Sequence, residues 1–351
     1  MGGMISIDET RTMIEAVIET PPLPTFLRRT FFGGGNKTYL TEQIDFDYKK
    51  GNLAMAPFVA PKVGGIPMER EGFETRTLSI PKIAPERVIT VENLKNRSMG
   101  EAIYSSKTPA QRAVELQAED YDYLDNAISL REEWMARQLL INGKIDISGE
   151  VNSGNVVDFS VDYRFTNKES LTGDDLWTNP AAKPLQQFVA WRKEIVENCG
   201  IDPNVLIMRS DTAMMLVDHP NFLKYYDTMR YNFGTIEPYI KEPLVTFYGR
   251  LPQVGADIYA YDASFLDPVT KEMTPFIPDN TVLFASTTAR GRFDYGAVTF
   301  LTVGENFMTV AATRVPQVFI DTDSSVKTLR LTARPLPMPL NVDGWAVRIV
   351  A

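Results

Sequence analysis

One histidine and one cysteine set a low ceiling on the chemistry of this chain. A catalytic triad, a zinc site or a histidine-based metal cluster needs more nitrogen and sulfur ligands than these two residues supply. His219 precedes Pro220 at a helix end and reads as a capping or surface group. Cys199 has only Arg192 and Lys193 nearby and reads as a buried small hydrophobe, not an activated thiolate. Carboxylates are the remaining resource. Asp174 and Asp175 lie in a polar linker, and Asp120 and Asp122 lie among Glu115, Glu119 and Asp125; both groups read as solvated faces. Gly33-Gly34-Gly35 lacks the Lys and Ser/Thr of a phosphate loop, and Gly291 and Gly296 beside Arg290 and Arg292 follow no nucleotide fingerprint. Lys224 and Arg230 among Tyr225, Tyr226, Tyr231 and Phe233 make a thin nucleic-acid surface, so those aromatics suit a core or an oligomer contact. The residues therefore nominate no catalytic, cofactor-binding or metal site. A carboxylate-dependent hydrolase using Asp174 or Asp175 is the one enzymatic alternative left open.

The elements that would position such groups are dominated by one stretch, Thr108 to Gly143. Thr108 can cap a helix, Pro109 suits the first helical position, and Gln111 completes a capping box. Val114, Tyr121, Leu124, Ile128 and Met135 recur at steps of three, four or seven, which predicts one apolar face. Asn142 and Gly143 supply a left-handed stop. The resulting helix over 109–142 would be roughly 50 Å long. Such a length braces an extended molecule or a partner surface more often than a compact enzyme.

The rest of the chain has little that folds by itself at its start. Ile5 to Glu19 predicts a short amphipathic helix capped by Ser6 or Asp8, and Pro21, Pro22 and Pro24 then enforce an extended path. Phe26, Leu27, Phe31 and Phe32 follow, interrupted by Arg28 and Arg29, before the flexible joint Gly33-Gly34-Gly35. This greasy arm needs another part of the chain, or a neighbour, to lie on. Leu53 to Val91 carries five spread prolines with Gly64 and Gly65 near its middle, and reads as a long two-stranded excursion with a loose tip.

Beyond the long helix, two alternating runs flank Asn152-Ser153-Gly154-Asn155 and predict a β-hairpin. A polar linker, Leu171 to Lys183, contains Trp177. A mixed α/β layer then spans roughly Pro184 to Gly304, with helices over Leu185–Cys199 and after Ser210, and strands at 205–208, 244–248, 257–261 and 282–285. The end returns to strand at 328–334 and 345–350.

Composition narrows the function classes. The chain has 351 residues, 44% of them hydrophobic, enough for a substantial core in two domains or one large irregular one. Net charge is −9, which disfavours general attraction to a nucleic-acid backbone. A single cysteine suits a reducing compartment. Met1 to Glu19 carries acids among its apolar residues and is not expected to act as a secretory signal, and no run approaches a membrane-spanning length.

In this order of elements the chain resembles the tailed-bacteriophage major capsid proteins of the lambda type, the major capsid protein E family. The resemblance is carried by Phe276-Ile277-Pro278-Asp279-Asn280-Thr281, continuing through Thr288-Ala289-Arg290-Gly291 to Tyr295-Gly296. A second match joins Phe26-Leu27-Arg28 and Phe31-Phe32 to Lys37-Thr38-Tyr39-Leu40. Weaker similarity covers Met55 to Gly65 and Glu132 to Gly143.

The resemblance implies an α+β, Hong Kong 97-like (HK97-like) capsid fold with an N-terminal arm, an extended loop, a peripheral domain holding a long spine helix, and an axial domain. Its parts would be the arm at 1–36, the start of the peripheral domain at 37–52, and the loop at 53–91. The peripheral domain with its spine helix would fill 92–183, the axial domain 184–309, and strands returning to the peripheral domain 310–351. It implies a structural, self-assembling protein, with hexamers and pentamers forming an icosahedral head around double-stranded DNA without sequence-specific binding. Implied partners are copies of the chain, a portal, a scaffold and a decoration protein, in a virion assembled in the host cytoplasm, with no membrane and no cofactor. Phe26, Phe31 and Phe32, Gly64 and Gly65 at the loop tip, and Arg290 are the expected intersubunit contacts. Lys62 lies in the loop, but no isopeptide crosslink is expected. Deleting 1–36 is expected to leave a folded, assembly-defective protein. An encapsulin-like cellular compartment is the alternative that shares the fold.

Overall fold

The computed structural model describes residues 22–48, 74–95, 107–151, 155–229, 240, 242–267, 270–301, 307–321, 323 and 325–351. The expectations for Ile5–Glu19, Lys62, Gly64, Gly65, Arg230, Tyr231 and Phe233 lie outside those residues. In chain order come α1 (Phe26–Phe31), β1 (Asn36–Thr38), β2 (Gln43–Tyr48), β3 (Glu74–Ser79), β4 (Glu86–Ile89), α2 (Val91–Lys95) and α3 (Pro109–Asn142). Then follow β5 (Lys144–Val151), β6 (Asn155–Asp162), β7 (Lys168–Ser170), α4 (Pro184–Cys199), β8 (Val205–Met208), α5 (Ser210–Val217), α6 (Pro220–Met229), β9 (Val245–Leu251) and β10 (Ala256–Tyr261). The last stretch holds β11 (Ser264–Leu266), β12 (Met273–Pro275), β13 (Thr281–Ala285), β14 (Arg292–Tyr295), β15 (Val298–Leu301), β16 (Phe307–Val310), β17 (Val315–Asp321), β18 (Val326–Thr332), β19 (Pro335–Met338) and β20 (Ala346–Ile349).

Local chemistry bounds α3 at the expected residues. The Gln111 N–H donates to Thr108 Oγ1 at 3.3 Å, and the Thr108 N–H donates to the Gln111 side chain at 2.9 Å. That closes the capping box, with Pro109 beginning the helix. Gly143 ends it at φ +67°, its N–H donating to the Leu139 carbonyl. Along the helix only part of the expected face is covered. Leu124, Ile128 and Met135 are buried, whereas Val114 and Tyr121 stay exposed. The helix is thus a brace that packs through its C-terminal half and leaves much of its acid-rich first half in solvent.

A six-stranded sheet, ordered β7-β20-β13-β8-β10-β9, divides the two larger cores. β8 reads Val205-Leu206-Ile207-Met208 and is buried on both faces. Because side chains alternate across a strand, Leu206 and Met208 join α4, α5 and α6 in one core. Val205 and Ile207 face the other, with the C-terminal half of α3 and the arm. Continuous apolar runs at β8 and β13 are what a sheet covered on both faces requires. β20 is fastened here by Arg348, whose guanidinium is fully buried yet reaches Glu194 of α4 at 2.6 Å.

Smaller sheets surround this divider. β17-β18-β4 lies on α3, with Leu329 and Leu331 against Leu124 and Ile128. β1-β14-β19 brings the chain after the arm beside the end of the molecule. β2 pairs with β3, β5 with β6 as the turn chemistry predicts, β11 with β12, and β15 with β16. The C-terminal segment therefore spreads over three sheets, with its last strand in the six-stranded one.

Three local expectations need correction. The 171–183 segment is no loose linker, because Trp177 is buried against Phe188 and its indole N–H donates to Gln187 at 2.8 Å. Asp120 is buried and paired with Arg87 at 2.9 Å, so it does not belong to a solvated face. His219 is buried rather than on the surface, and it caps α6: its Nδ1 accepts the Asn221 N–H at 3.3 Å, and its Nε2 meets the Asn179 carbonyl at 3.1 Å. Cys199 is half-buried.

Two helix stops give a paired test. A Cβ on Gly143 would sit 2.2 Å from the Phe165 Cβ, while one on Gly200, at φ +68°, meets nothing within 4 Å. Gly200→Ala should therefore cost only the left-handed penalty, about 1–2 kcal/mol. Gly143→Ala should cost clearly more in a chemical denaturation midpoint, and equal costs would show that Phe165 yields freely.

Candidate functional site

The arm's root is where the sequence becomes three-dimensional. α1 is a single short helix whose Phe26, Leu27, Thr30 and Phe31 are buried, while Arg28 and Arg29 lie between them. A helix start leaves its first N–H groups without helical partners. Here α3 and β10 supply the acceptors. The Leu27 N–H donates to Glu133 Oε1 at 2.8 Å and the Arg28 N–H to Glu133 Oε2 at 2.8 Å. The Tyr261 hydroxyl donates to the same Oε1 at 3.0 Å and accepts the Phe26 N–H.

Glu132, one residue earlier on α3, completes the knot. Arg314, just ahead of β17, donates from Nη1 to Oε1 at 2.7 Å and from Nη2 to Oε2 at 3.1 Å. Arg28 Nη1 lies 3.0 Å from Oε2, and the Tyr295 hydroxyl of β14 donates to Oε1 at 2.9 Å. Arg314 also reaches Asp125 at 2.6 Å. Both glutamates are 0% exposed. The two carboxylates are nonetheless unlike each other: Glu132 has two guanidinium partners, whereas every group donating to Glu133 is neutral.

The electrostatics follow from that difference. Burial pushes the Glu133 carboxyl up to about 7, against the opposing pull of the Arg28 and Leu27 amides, the Tyr261 hydroxyl and the Arg28 charge. Burial, then the charge of Glu133, raises the Tyr261 phenol. Burial and the charge of Glu132 push Tyr295 up to about 12. Burial lowers Arg314, but its bonds to Glu132 and Asp125 outweigh this and the net shift is upward.

This arrangement ties elements together and offers no open reactive group. The candidate hydrolase pair sits in a 3-10 turn, with Asp174 accepting from Asn179 at 2.9 Å. Among the described residues no group of three or more His, Cys, Asp or Glu could hold a metal ion. An apolar slot lined by Phe31, Phe32, Leu140, Leu340 and Trp345 lies between arm, spine and sheet, with a volume of about 30 Å³.

The expected contact residues distribute unevenly. Phe26, Phe31 and Phe32 are 1%, 5% and 4% exposed within their own subunit. Phe26 tilts against Tyr261 with centroids 5.0 Å apart, and Phe32 meets Phe293 edge-on at 5.5 Å. In this subunit the three rings hold the arm's root to its own chain. Arg290 is exposed, with its Nε donating to the Thr287 carbonyl at 2.9 Å. The glycine joint is also pinned: the Gly34 N–H donates to the Gly291 carbonyl at 3.0 Å, and the Gly291 N–H to the Phe31 carbonyl at 2.7 Å. A Cβ on Gly34 would lie 2.7 Å from that Gly291 oxygen, so the glycines there permit close approach rather than hinging.

Sequence reasoning missed Glu132, Glu133, Arg314, Tyr261 and Tyr295. The available signal was two adjacent acids in the apolar half of α3, between Ile128 and Met135, where a carboxylate needs partners. Glu132→Gln should lower stability by about 3 kcal/mol or more in a denaturant titration, because it strands two guanidinium groups. Glu115→Gln, which breaks an exposed pair with Lys107, should cost under about 1 kcal/mol. Similar small costs at both sites would refute a structural knot.

Comparison with known proteins gives these features their setting. The family model for the phage major capsid protein E matches residues 9–347. The P21 prophage-derived major head protein of Escherichia coli O6:H1 is 23% identical over 332 residues, covering 93% of this chain and 92% of that protein. The major capsid protein of Escherichia phage lambda is 23% identical over 284 residues, covering 78% and 79%. Among solved structures, a prophage capsid protein from E. coli CFT073 superposes with a TM-score of 0.67 at 18% identity, covering 95% and 94%. The capsid protein of cyanophage P-SCSP1u does so at 0.51 and 8% identity, covering 97% and 92%. These are HK97-like capsid folds, as the motifs at 26–40 and 276–296 led us to expect. No described helix is long and apolar enough to cross a membrane. The match along nearly the whole chain shows that it belongs to the phage major capsid protein E family, non-enzymatic structural proteins of the phage head shell and hence of the virion.

Proposed function

We propose that this chain forms pentameric and hexameric rings that close into an icosahedral head around double-stranded DNA. The observation that carries the reading is apolar strand surface left exposed among the described residues. β17 is an edge strand exposing Val318, Phe319 and Ile320, the last at 71%. Among the described residues the β15–β16 ribbon pairs only with itself, and it exposes Leu301, Met308 and Phe307, the last at 80%. A two-stranded ribbon is marginal alone, and an open apolar edge invites pairing. Repeated heterologous contacts between copies, closing into rings, would cover both.

The other parts of the reading follow the family. Arm, loop, peripheral and axial regions are proposed with the boundaries given from sequence, and Gly64, Gly65 and Arg290 are proposed as contacts with neighbouring copies. A portal, a scaffold and a decoration protein are proposed partners, with assembly in the host cytoplasm. The net charge of −9 supports DNA held by confinement rather than by specific binding.

Because Phe26, Phe31 and Phe32 are core residues, deleting 1–36 would remove part of the fold. A cut after residue 21 is the better test of the arm, and it should leave a folded protein impaired in assembly. The reading itself is tested by negative-stain electron microscopy with size-exclusion chromatography of the overexpressed protein. Rings or closed shells are expected. A small species persisting across salt and concentration, with and without a co-expressed scaffold, would overturn it. Phe307→Asp combined with Ile320→Asp should leave melting nearly unchanged but abolish shells. Normal shells from that variant would remove the two strands as contacts.

A further inference from the structure

The long helix carries unmatched charge of both signs, acid in its first half and base in its second. We propose that the acidic first half of α3 in one copy docks on the basic second half of α3 in the next, a head-to-tail contact between copies within a ring. This inference rests on the ring reading and names a surface for it. Glu119 and Asp122 lie one turn apart on α3 and are exposed, with Tyr121 beside them at 38%. Among the described residues no cation contacts either carboxylate.

Past the buried turn at Ile128 the sign reverses. Arg131, Trp134 and Arg137 follow at steps of three and are half-buried. The Arg131 guanidinium lies over the Trp134 ring, 4.9 Å from its centroid, and Asp267 acts on it only through space. Arg137 Nε donates to the Phe276 carbonyl at 2.9 Å, and among the described residues its guanidinium meets no carboxylate. Lys168 of β7 joins them at the end of the helix, its Nζ donating to Asn142 Oδ1 at 3.0 Å. Burial, then the charges of Arg137 and Lys144, hold that amine below its ordinary value, so these cations already repel one another. A partly desolvated cation without a counter-charge gains a charge-assisted bond from any carboxylate brought to it.

The two sets cannot neutralise each other within one subunit. An ion pair along a helix joins residues three or four apart. Asp122 and Arg131 are separated by about 14 Å of helix axis, and Glu119 and Arg137 by about 27 Å. Both exceed the screening length of about 8 Å in physiological salt. A second copy supplies the missing charges to both ends at once, because a heterologous contact uses each surface once per subunit and repeats around a ring. Tyr, Trp and Arg, present on the two faces, are the residue types that anchor interfaces. A nucleic-acid backbone fits less well, since Glu119 and Asp122 on the same helix would repel it.

Charge reversal in the purified full-length protein tests the contact by size-exclusion chromatography and negative-stain electron microscopy. Wild-type rings or shells are the reference; their absence would sink the ring reading and this contact with it. Glu119→Lys with Asp122→Lys should leave melting nearly unchanged, because both side chains are exposed. It should lower the assembled fraction by about ten-fold or more, since it sets like charges against each other. Adding Arg131→Glu and Arg137→Glu should restore assembly. Wild-type amounts of rings from the double variant, or a folded fourfold variant that stays unassembled, would overturn the proposal. If the fourfold variant does not fold, zero-length carbodiimide coupling of wild-type rings decides. An amide between Lys168 and Glu119 or Asp122 is expected, and it must join two copies, because Asp122 and Asn142 are about 30 Å apart in one. Rings in which neither acid couples to Lys168 would refute the contact.

Discussion

Two adjacent buried carboxylates in the middle of one long helix constrain the rest of this subunit. A carboxylate removed from water must recover its hydrogen bonds or fold at heavy cost. Glu132 and Glu133 recover theirs from four separate places: α1, β10, β14 and the segment before β17. Those places are far apart in sequence, so satisfying the pair assembles the molecule around α3. The arm's root, the outer sheet and the inner core are all fixed by the same few donors.

The six-stranded sheet works with that brace. Its central strands are apolar on both faces, so one face must meet the helices α4 to α6 and the other must meet α3 and the arm. Arg348 fastens the last strand to α4 across this divider. With both faces of the sheet occupied, β17 and the β15–β16 ribbon are among the places where apolar side chains stay exposed. A subunit built this way keeps its core private, and its open strand edges are the surface we propose for contacts between copies. The scarcity of histidine and cysteine is consistent with the same economy, since surface contact rather than chemistry is the work of this family.

Much of the local structure was legible from residues alone. Thr108, Pro109, Gln111 and Gly143 define α3 because capping is satisfied within a few residues. The β5–β6 hairpin, α4 with its Gly200 stop, and β8 follow for the same reason: their signals are periodicity and turn chemistry, both local. Motifs at 26–40 and 276–296 carried the family. What could not be read was which polar residue loses its water. Asp120 sits among other acids in the first half of α3, where sequence cannot separate it from Glu115, which stays in solvent, and the apolar neighbours of Glu132 and Glu133 say that partners are needed but not which ones.

By itself, then, the sequence determined α3, α4, α5, the β5–β6 hairpin, the scarcity of histidine and cysteine, and the capsid family. Tertiary structure decided where the arm's aromatic residues go, that Gly34 and Gly291 are points of close approach, and which acids form the knot. The physical reason is range. A cap or a turn is settled by neighbours three or four positions away, whereas desolvation depends on everything that packs around a group. For Glu133 those surroundings come from residues 27, 28 and 261, more than a hundred positions away in either direction.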